Sequence, residues 1–170
     1  MTQKLANFIV GIFGGAAGSL LGKYVVIFII SLFPILELRG GLIAASLLNL
    51  PMWQSFIICF IGNIIPIPFI LWLINPIFRK MREWKHLGKV VAWCEEKAHS
   101  KQEKIENLKY LGLFLFVGIP IPGTGAWMGC LIAALLNMDK KKSLLAAILG
   151  VVMAGIIMLL FSYGVLGRIF

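Results

Sequence analysis

The sequence repeats part of itself at a distance of 88 residues. Each copy has a short apolar run, a break rich in proline and glycine, a second short apolar run, a polar turn and a long apolar run. The recurring positions include residue types that a shared apolar composition would not supply: Pro34/Pro122, Gly41/Gly129, Leu47–Asn49/Leu135–Asn137, Ser55/Ser143 and Gly62/Gly150. The chain must therefore fold as two related halves. In membrane proteins, duplicated units with interrupted apolar segments place a binding site where the repeats meet.

The composition is that of an integral membrane protein. Hydrophobic residues make up 60% of the chain, and the mean hydropathy is +0.95. The net charge of +9 does not indicate nucleic acid binding. Most basic residues lie in one segment beside the apolar runs, where membrane topology and anionic lipid explain them. We expect one membrane domain over residues 1–170.

Three apolar runs approach the length of a transmembrane helix. A bilayer core of about 30 Å needs about 20 helical residues. Residues 55–75 and 143–164 reach that length, and residues 5–22 nearly do. The first run has no clear signal-peptide cleavage site, so we expect it to be a retained helix. Its glycines could let another helix approach closely, within the protomer or across a homodimer: Gly11, Gly14, Gly15, Gly18 and Gly22.

The other apolar runs are too short to cross a bilayer. They form two pairs, 24–36 with 42–50 around the break at Glu37–Gly41, and 110–119 with 126–138 around the break at Pro120–Gly125. A helix of 13 residues is only about 20 Å long. Each pair is therefore either one broken spanning helix or a re-entrant hairpin that enters and leaves on the same side.

The basic residues favour re-entrant hairpins, because positive charge marks the cytoplasmic ends of membrane segments. Nine basic residues lie between the repeats, and Lys140–Lys142 follow the second pair of runs. Both groups are cytoplasmic only if residues 110–138 are re-entrant. By the repeat, the first pair is re-entrant from the opposite face, which makes the repeat inverted.

The predicted fold is thus an all-α membrane protein with three spanning helices and two re-entrant hairpins. Repeat 1 covers about residues 24–75 and repeat 2 about residues 110–164. Residues 76–109 and 139–142 are expected on the cytoplasmic side of a prokaryotic inner membrane.

Residues 76–109 begin with the pattern of an amphipathic helix at the membrane surface. Apolar residues recur every three or four positions, at Ile77, Met81, Trp84, Leu87 and Val91. Basic residues on the other faces should attract anionic lipid at about 1 kcal/mol per charge: Arg79, Lys80, Arg82, Lys85 and Lys89. A solvated helix that only sets topology would show the same pattern.

Glu37 is the only acidic residue within an apolar region. A charge at the bilayer centre costs about 3 kcal/mol on insertion scales, so such a residue is a candidate functional group. It could gain and lose a proton during transport. The alternative is a structural ion pair with Arg39. Arg39 could instead bind an anionic headgroup, because its planar guanidinium suits phosphate.

The second break resembles the tip of a hairpin and has features of an anion site. Two prolines lack backbone donors, and the glycines allow tight turns. Thr124 is placed to cap the following helix, whose free N–H groups would favour an anion. The candidate contacts are Pro120, Pro122, Gly123, Thr124, Gly125 and the aromatic Trp127, which aligns with Arg39. A bare structural tip would explain the same residues.

Three asparagines complete the polar candidates. Asn63 lies in a long apolar run before two prolines, where a broken helix must line a cavity or be covered by protein. An interhelical hydrogen bond is the alternative. Asn49 and Asn137 are repeat mates near the hairpin ends, where we expect them to cap helices.

The chain resembles the small multidrug export protein family over nearly its whole length. The resemblance rests on PILELRGGLIAA, on GIPIPGTGAW and on the basic segment between them. More distantly, the chain resembles the DedA (VTT-domain) superfamily, which has opposed re-entrant hairpins with an acid, a P-x-P-G element and an arginine. Here P-x-P-G lies in the second hairpin and precedes Thr124 rather than an acid. The first resemblance implies drug export, and the second implies lipid translocation.

The expected function is secondary transport coupled to protons through Glu37, at a site where the hairpin tips meet. A polyprenyl phosphate or similar lipid would use Arg39 and the turn at Gly123–Gly125, and this chemistry is the one we favour. A cationic drug would use Glu37 and aromatic walls. A non-transporting scaffold would use Glu37 and Arg39 as a structural pair. The sequence contains no nucleophile–base pair and no metal-ligand spacing, so we expect no enzyme activity, metal or cofactor.

Overall fold

The computed structural model describes residues 19–82, 92–93, 96, 109–121 and 123–165, and within these ranges the chain is helical without strands. In chain order the main helices are α1 (Leu20–Leu32), α2 (Glu37–Leu47), α3 (Met52–Ile64), α4 (Pro66–Arg82), α5 (Lys109–Gly118), α6 (Ala126–Leu135) and α7 (Lys140–Leu159), which continues as a π-helical segment over Leu160–Val165.

Two helical stretches are long and apolar enough to cross a membrane. They cover Met52–Ile77, which joins α3 to most of α4, and Lys140–Gly164. The spans predicted at 55–75 and 143–164 lie inside them. Many large apolar side chains are exposed, with Ile35 at 91%, a surface that water would disfavour and lipid would not. The protein is a membrane protein.

The first predicted span is not a single helix to residue 22. A helix begins at Leu20, after Ser19, whose hydroxyl accepts a hydrogen bond from the Gly22 N–H at 3.0 Å. Serine is a favoured N-cap because its side chain satisfies a free N–H of the first turn. Residues 5–18 and four of the five glycines of the predicted close-packing face lie outside the described residues.

The predicted boundary at residue 76 is also not observed, since α4 continues through Pro76 to Arg82. The first part of the basic segment therefore extends the helix of a candidate span. Of the proposed lipid-binding residues, Lys85 and Lys89 lie outside the described residues, as do Trp84 and Leu87.

Contacts divide the chain into two compact units. One runs up to Asn63 and resumes at Val152, and the other is Ile64–Val151. The two divisions fall 88 residues apart, which is the repeat distance. Each unit thus contains one pair of short helices, the first part of the long helix that follows that pair, and the last part of the other long helix.

In the first unit, α1 packs on α2, and α2 also contacts the π-helical segment. The Ser46 hydroxyl donates to the Ser162 carbonyl at 2.8 Å, and the Tyr163 hydroxyl donates to the Leu50 carbonyl at 3.1 Å. These bonds fasten the exit of the α1–α2 hairpin to the end of the chain's second long apolar helix.

In the second unit, α6 packs on both α4 and α5. The Asn75 amide donates to the Ala134 carbonyl at 2.8 Å and to Asn137 Oδ1 at 3.4 Å. Asn75 is the repeat mate of Tyr163, and Ala134 is the mate of Ser46. Corresponding positions therefore fasten the exit of each hairpin.

The hairpin exits have the same backbone motif. Asn49 has φ 54° and Asn137 has φ 51°, the left-handed conformation that ends many helices and that asparagine tolerates. The Leu50 N–H bonds to the Ala45 carbonyl, and the Met138 N–H bonds to the Ala133 carbonyl, both at 3.0 Å. The predicted helix-capping role of the two asparagines is confirmed.

The first hairpin turns earlier than predicted. Its tip is Phe33–Leu36, and the predicted break at Glu37–Gly41 is the start of α2. Pro34 supplies the break, because it lacks an N–H. Gly40 and Gly41 serve close packing instead: a Cβ on Gly41 would lie 2.0 Å from Ser31 Oγ and 2.7 Å from Cys59 Sγ.

Candidate functional site

Glu37 begins α2 as a buried acid with an unusual backbone. Its side chain is 5% exposed, and its φ is 51°. Its N–H donates to the Phe33 carbonyl at 2.9 Å, which closes the tip. A left-handed conformation in a residue with a Cβ costs of order 1 to 3 kcal/mol and points to a functional constraint when it is observed. Glu37 therefore stays a candidate functional residue, now with a defined backbone and burial.

Arg39 lies two residues further along α2 and is partly buried. The Glu37 carboxylate acts on it by Coulombic attraction. Residues two apart on a helix do not normally face each other, but Glu37 has non-helical dihedrals at the helix start. The acid and the cation therefore form one electrostatic group at the beginning of α2.

Close helix packing supports this group. The Gly41 position brings α2 against Ser31 and Cys59, as described above. A Cβ on Gly62 would lie 2.9 Å from the Phe28 carbonyl oxygen, so α3 also lies directly against α1. The helix that begins with Glu37 is thus closely packed against its neighbours.

Asn63 belongs to the same unit and is 3% exposed. Its side-chain oxygen has no hydrogen-bond partner among the residues that the structure describes. A buried polar atom without a partner costs about 1 to 3 kcal/mol. The predicted interhelical hydrogen bond of this oxygen is therefore not observed in the described part of the chain, and Asn63 remains a candidate polar contact.

The second tip covers residues 119–125 and belongs to the other unit. Gly123 has φ 80°, and Gly125, the N-cap of α6, has φ 134° and ψ −176°. The last of these conformations is open almost only to glycine. Pro120 is partly buried, and Pro122 lies outside the described residues.

Thr124 does not have the predicted role. Its hydroxyl donates to the Ile121 carbonyl at 2.8 Å and is 3.0 Å from the Ile119 carbonyl oxygen. The N-cap of α6 is Gly125, without a side-chain hydrogen bond. The prediction that Thr124 caps α6 is therefore wrong. Its hydroxyl bonds to a carbonyl within the tip and stabilises that turn instead.

The structure thus divides the predicted site residues between the two units. Glu37, Arg39 and Asn63 lie in one unit, and the second tip with the partly buried Trp127 lies in the other. No group of three His, Cys, Asp or Glu able to hold a metal ion occurs among the described residues.

Sequence reasoning missed a second register of the repeat. Lys23-Tyr24 in α1 and Lys109-Tyr110 in α5 are 86 residues apart, not 88. The same shift relates Phe28 to Phe114, whose carbonyl oxygens each lie 2.9 Å from the Cβ position of a repeat-mate glycine, Gly62 or Gly150. Counted through Glu37 and its mate Gly125, the second connection (119–125) is two residues longer than the first (33–37), and a search that allowed this gap would have found the pairs.

Comparison with known proteins gives one result. Residues 37–157 match the family described as putative small multi-drug export protein. No curated protein and no solved structure matches the chain. The matched range includes Glu37, Arg39, Asn63 and the whole second tip, and it covers well over half of the chain. The chain belongs to the small multi-drug export protein family.

Proposed function

We propose that the protein is a secondary transporter that exports amphiphilic compounds in exchange for protons, with Glu37 as the proton-carrying group. The observation that carries this proposal is the position of Glu37. It is buried and has a positive φ, and its repeat mate is Gly125, which also has a positive φ. Glycine adopts such a backbone at little cost.

A glutamate at this position adds two costs that a glycine would not have. One is backbone strain, and the other is removal of a carboxylate from water. Residues that destabilise a fold in this way are typical of functional sites. The description of the family as export proteins is the reason for proposing transport out of the cell.

The surroundings of Glu37 suit a group that changes its protonation state. Apolar helices favour the neutral carboxyl group, while the nearby Arg39 favours the carboxylate. Binding of a cationic amphiphile would displace the proton from Glu37, and release of the amphiphile would let Glu37 bind a proton again. In this scheme the substrate is a cationic drug, and no chemical step is required of the protein.

Arg39 supports a second substrate class. Its planar guanidinium lies partly buried at the start of α2, and such a group binds phosphate through paired hydrogen bonds. A polyprenyl phosphate or similar lipid would use Arg39 rather than Glu37, in keeping with the resemblance to the DedA superfamily. The inner-membrane location, the opposed re-entrant hairpins and the cytoplasmic side of residues 139–142 belong to the same proposal.

The test is transport into proteoliposomes under an imposed pH gradient, with a cationic dye and a fluorescent polyprenyl-phosphate analogue as probes. Glu37→Gln should abolish gradient-driven movement. Glu96→Gln is the matched control, because it makes the same change at an exposed acid. Arg39→Ala should stop the lipid analogue and spare the dye. Retained pH dependence in Glu37→Gln would remove Glu37 as the proton site.

A structural role has a different signature. If Glu37 and Arg39 only stabilise the hairpin, both variants will lower the yield of folded protein without a specific transport defect. Movement of neither probe by the wild type would instead favour a non-transporting scaffold.

A further inference from the structure

The two hairpins begin with the same pair of residues but use them differently. In the first unit, Lys23 Nζ donates a hydrogen bond to the Leu48 carbonyl at 3.2 Å. The adjacent Tyr24 hydroxyl donates to the Gln54 side chain. The lysine thus satisfies a carbonyl at the end of α2, and the entrance of this hairpin is closed by its own side chains.

The corresponding place in the second unit is open. A cavity of about 300 Å³ is lined by Lys109, Tyr110, Leu136, Asn137, Met138 and Asp139. Leu136 is the repeat mate of Leu48. Within the described part of the chain, the Lys109 amino group has no hydrogen-bond or ion-pair partner, and the side chain is exposed. The volume is at the lower end of that of small-ligand pockets.

The charge around this cavity is positive. Lys142 Nζ lies 5.8 Å from the centre of the Tyr110 ring, and Lys140 and Lys141 are exposed beside it. The one acidic residue in the lining, Asp139, is engaged as a cap: its Oδ1 accepts a hydrogen bond from the Lys142 N–H at 2.9 Å. The lysines therefore outnumber the acid.

Tyr110 completes the set of donors. Its hydroxyl oxygen accepts a hydrogen bond from the Asp139 N–H at 3.3 Å, which leaves its own proton to donate. Ammonium and hydroxyl donors around a small cavity match an anion with several oxygens.

The cavity also lies at the polar end of apolar segments. A candidate span begins at Lys140, and the short apolar helix α5 begins at Lys109. Lysine and tyrosine at such ends typically place their polar groups at the level of the lipid headgroups.

We propose that this cavity binds the phosphate of an anionic ligand, and that its position favours a lipid headgroup as the source. Lys109 and Lys142 neutralise the phosphate, and Tyr110 donates a hydrogen bond to it. The site is separate from Glu37 and does not depend on the transport proposal.

The test is native mass spectrometry of the full-length protein in detergent, titrated with phosphatidylglycerol or with phosphatidylcholine. The wild type should retain phosphatidylglycerol preferentially. Lys109→Gln should weaken its affinity by about fivefold, the effect of one lysine near a membrane surface. Lys23→Gln is the matched control, because it removes the equivalent lysine from the closed entrance and should leave the affinity unchanged.

Equal loss in both variants, or no loss in Lys109→Gln, would overturn the proposal. If Lys109→Gln does not fold, Lys142→Gln decides the question, because this exposed residue can be changed with little effect on packing. A competition with glycerol phosphate separates the two sources of phosphate. If glycerol phosphate displaces the lipid at matched concentration, the lipid headgroup is overturned as the ligand and the cavity is assigned to a soluble phosphate. If glycerol phosphate displaces the lipid only in large excess, the lipid headgroup is supported.

Discussion

The hairpins α1–α2 and α5–α6 have matching exits and different tips. Both exits end in an asparagine with positive φ and the same pair of backbone hydrogen bonds. The first tip is the four residues Phe33–Leu36, followed by Glu37. The second covers residues 119–125, and Gly125 takes the place of Glu37. The repeat therefore maintains the exits of the hairpins and varies their tips.

The two hairpins also differ in the residue type at positions with positive φ. The second tip uses glycine wherever the described backbone has positive φ. The first hairpin has glutamate at such a position, directly after its tip, on a helix that packs closely against its neighbours. The first hairpin thus has a buried carboxyl group at a position with a strained backbone, whereas the second tip has glycine at its described positive-φ positions.

Close packing should respond most strongly to substitution, and differently in the two hairpins. In Gly41→Ala the new Cβ would lie 2.0 Å from Ser31 Oγ, which is fixed by its bond to the Ile27 carbonyl. In Gly129→Ala it would meet Val117 Cγ2 at 2.8 Å, the end of a side chain that can shift. We expect losses in unfolding free energy of about 3 and about 1 kcal/mol respectively.

Denaturation in mixed micelles, followed by tryptophan fluorescence, measures both losses. Equal losses would mean that α1 and α2 can separate as easily as α5 and α6, which would break the comparison.

Backbone strain should make substitutions at Gly125 and at its repeat mate Glu37 differ in their effect on stability. Gly125→Ala forces a Cβ into a conformation that only glycine adopts readily, and should lower stability by about 1 to 3 kcal/mol. Glu37→Gly relieves strain but loses the attraction to Arg39, so stability should change by less than about 1 kcal/mol. The same denaturation experiment compares them.

A transport measurement adds a second test of Glu37→Gly. Glu37→Gly should be folded but inactive in the proteoliposome assay. A large loss of stability in Glu37→Gly would instead assign the acid to the structure of the tip.

Much of this architecture could be predicted from the sequence. Long uncharged runs identified both candidate spans, because length and hydropathy are the properties that allow a helix to cross a bilayer. The asparagines at both exits identified the helix ends, because the left-handed backbone conformation that ends a helix is local and favours asparagine or glycine. The second tip was also placed to within one residue, by Pro120 and the glycines that follow.

Positions that depend on tertiary contacts could not be predicted in this way. Gly40-Gly41 resembles a break in sequence, but glycine also permits close packing, and only the positions of Ser31 and Cys59 decide between the two. Thr124 could cap a helix or close a turn, and the path of the tip decides. The different uses of Lys23 and Lys109 depend on whether a carbonyl lies within reach.

The smallest effect is expected for two repeat-mate serines in the first turns of the long helices. Ser55 Oγ donates to the Pro51 carbonyl at 2.8 Å. Ser143 Oγ is buried without a hydrogen-bond partner among the described residues. Ser55→Ala should therefore lower the free energy of unfolding by about 0.5 to 1 kcal/mol, the value of a side-chain hydrogen bond in a membrane protein. Ser143→Ala should leave it unchanged or raise it slightly, because it removes a buried hydroxyl whose desolvation is uncompensated. A loss in Ser143→Ala equal to that in Ser55→Ala would show that the second hydroxyl also has a partner, and that the two long helices begin in equivalent polar environments.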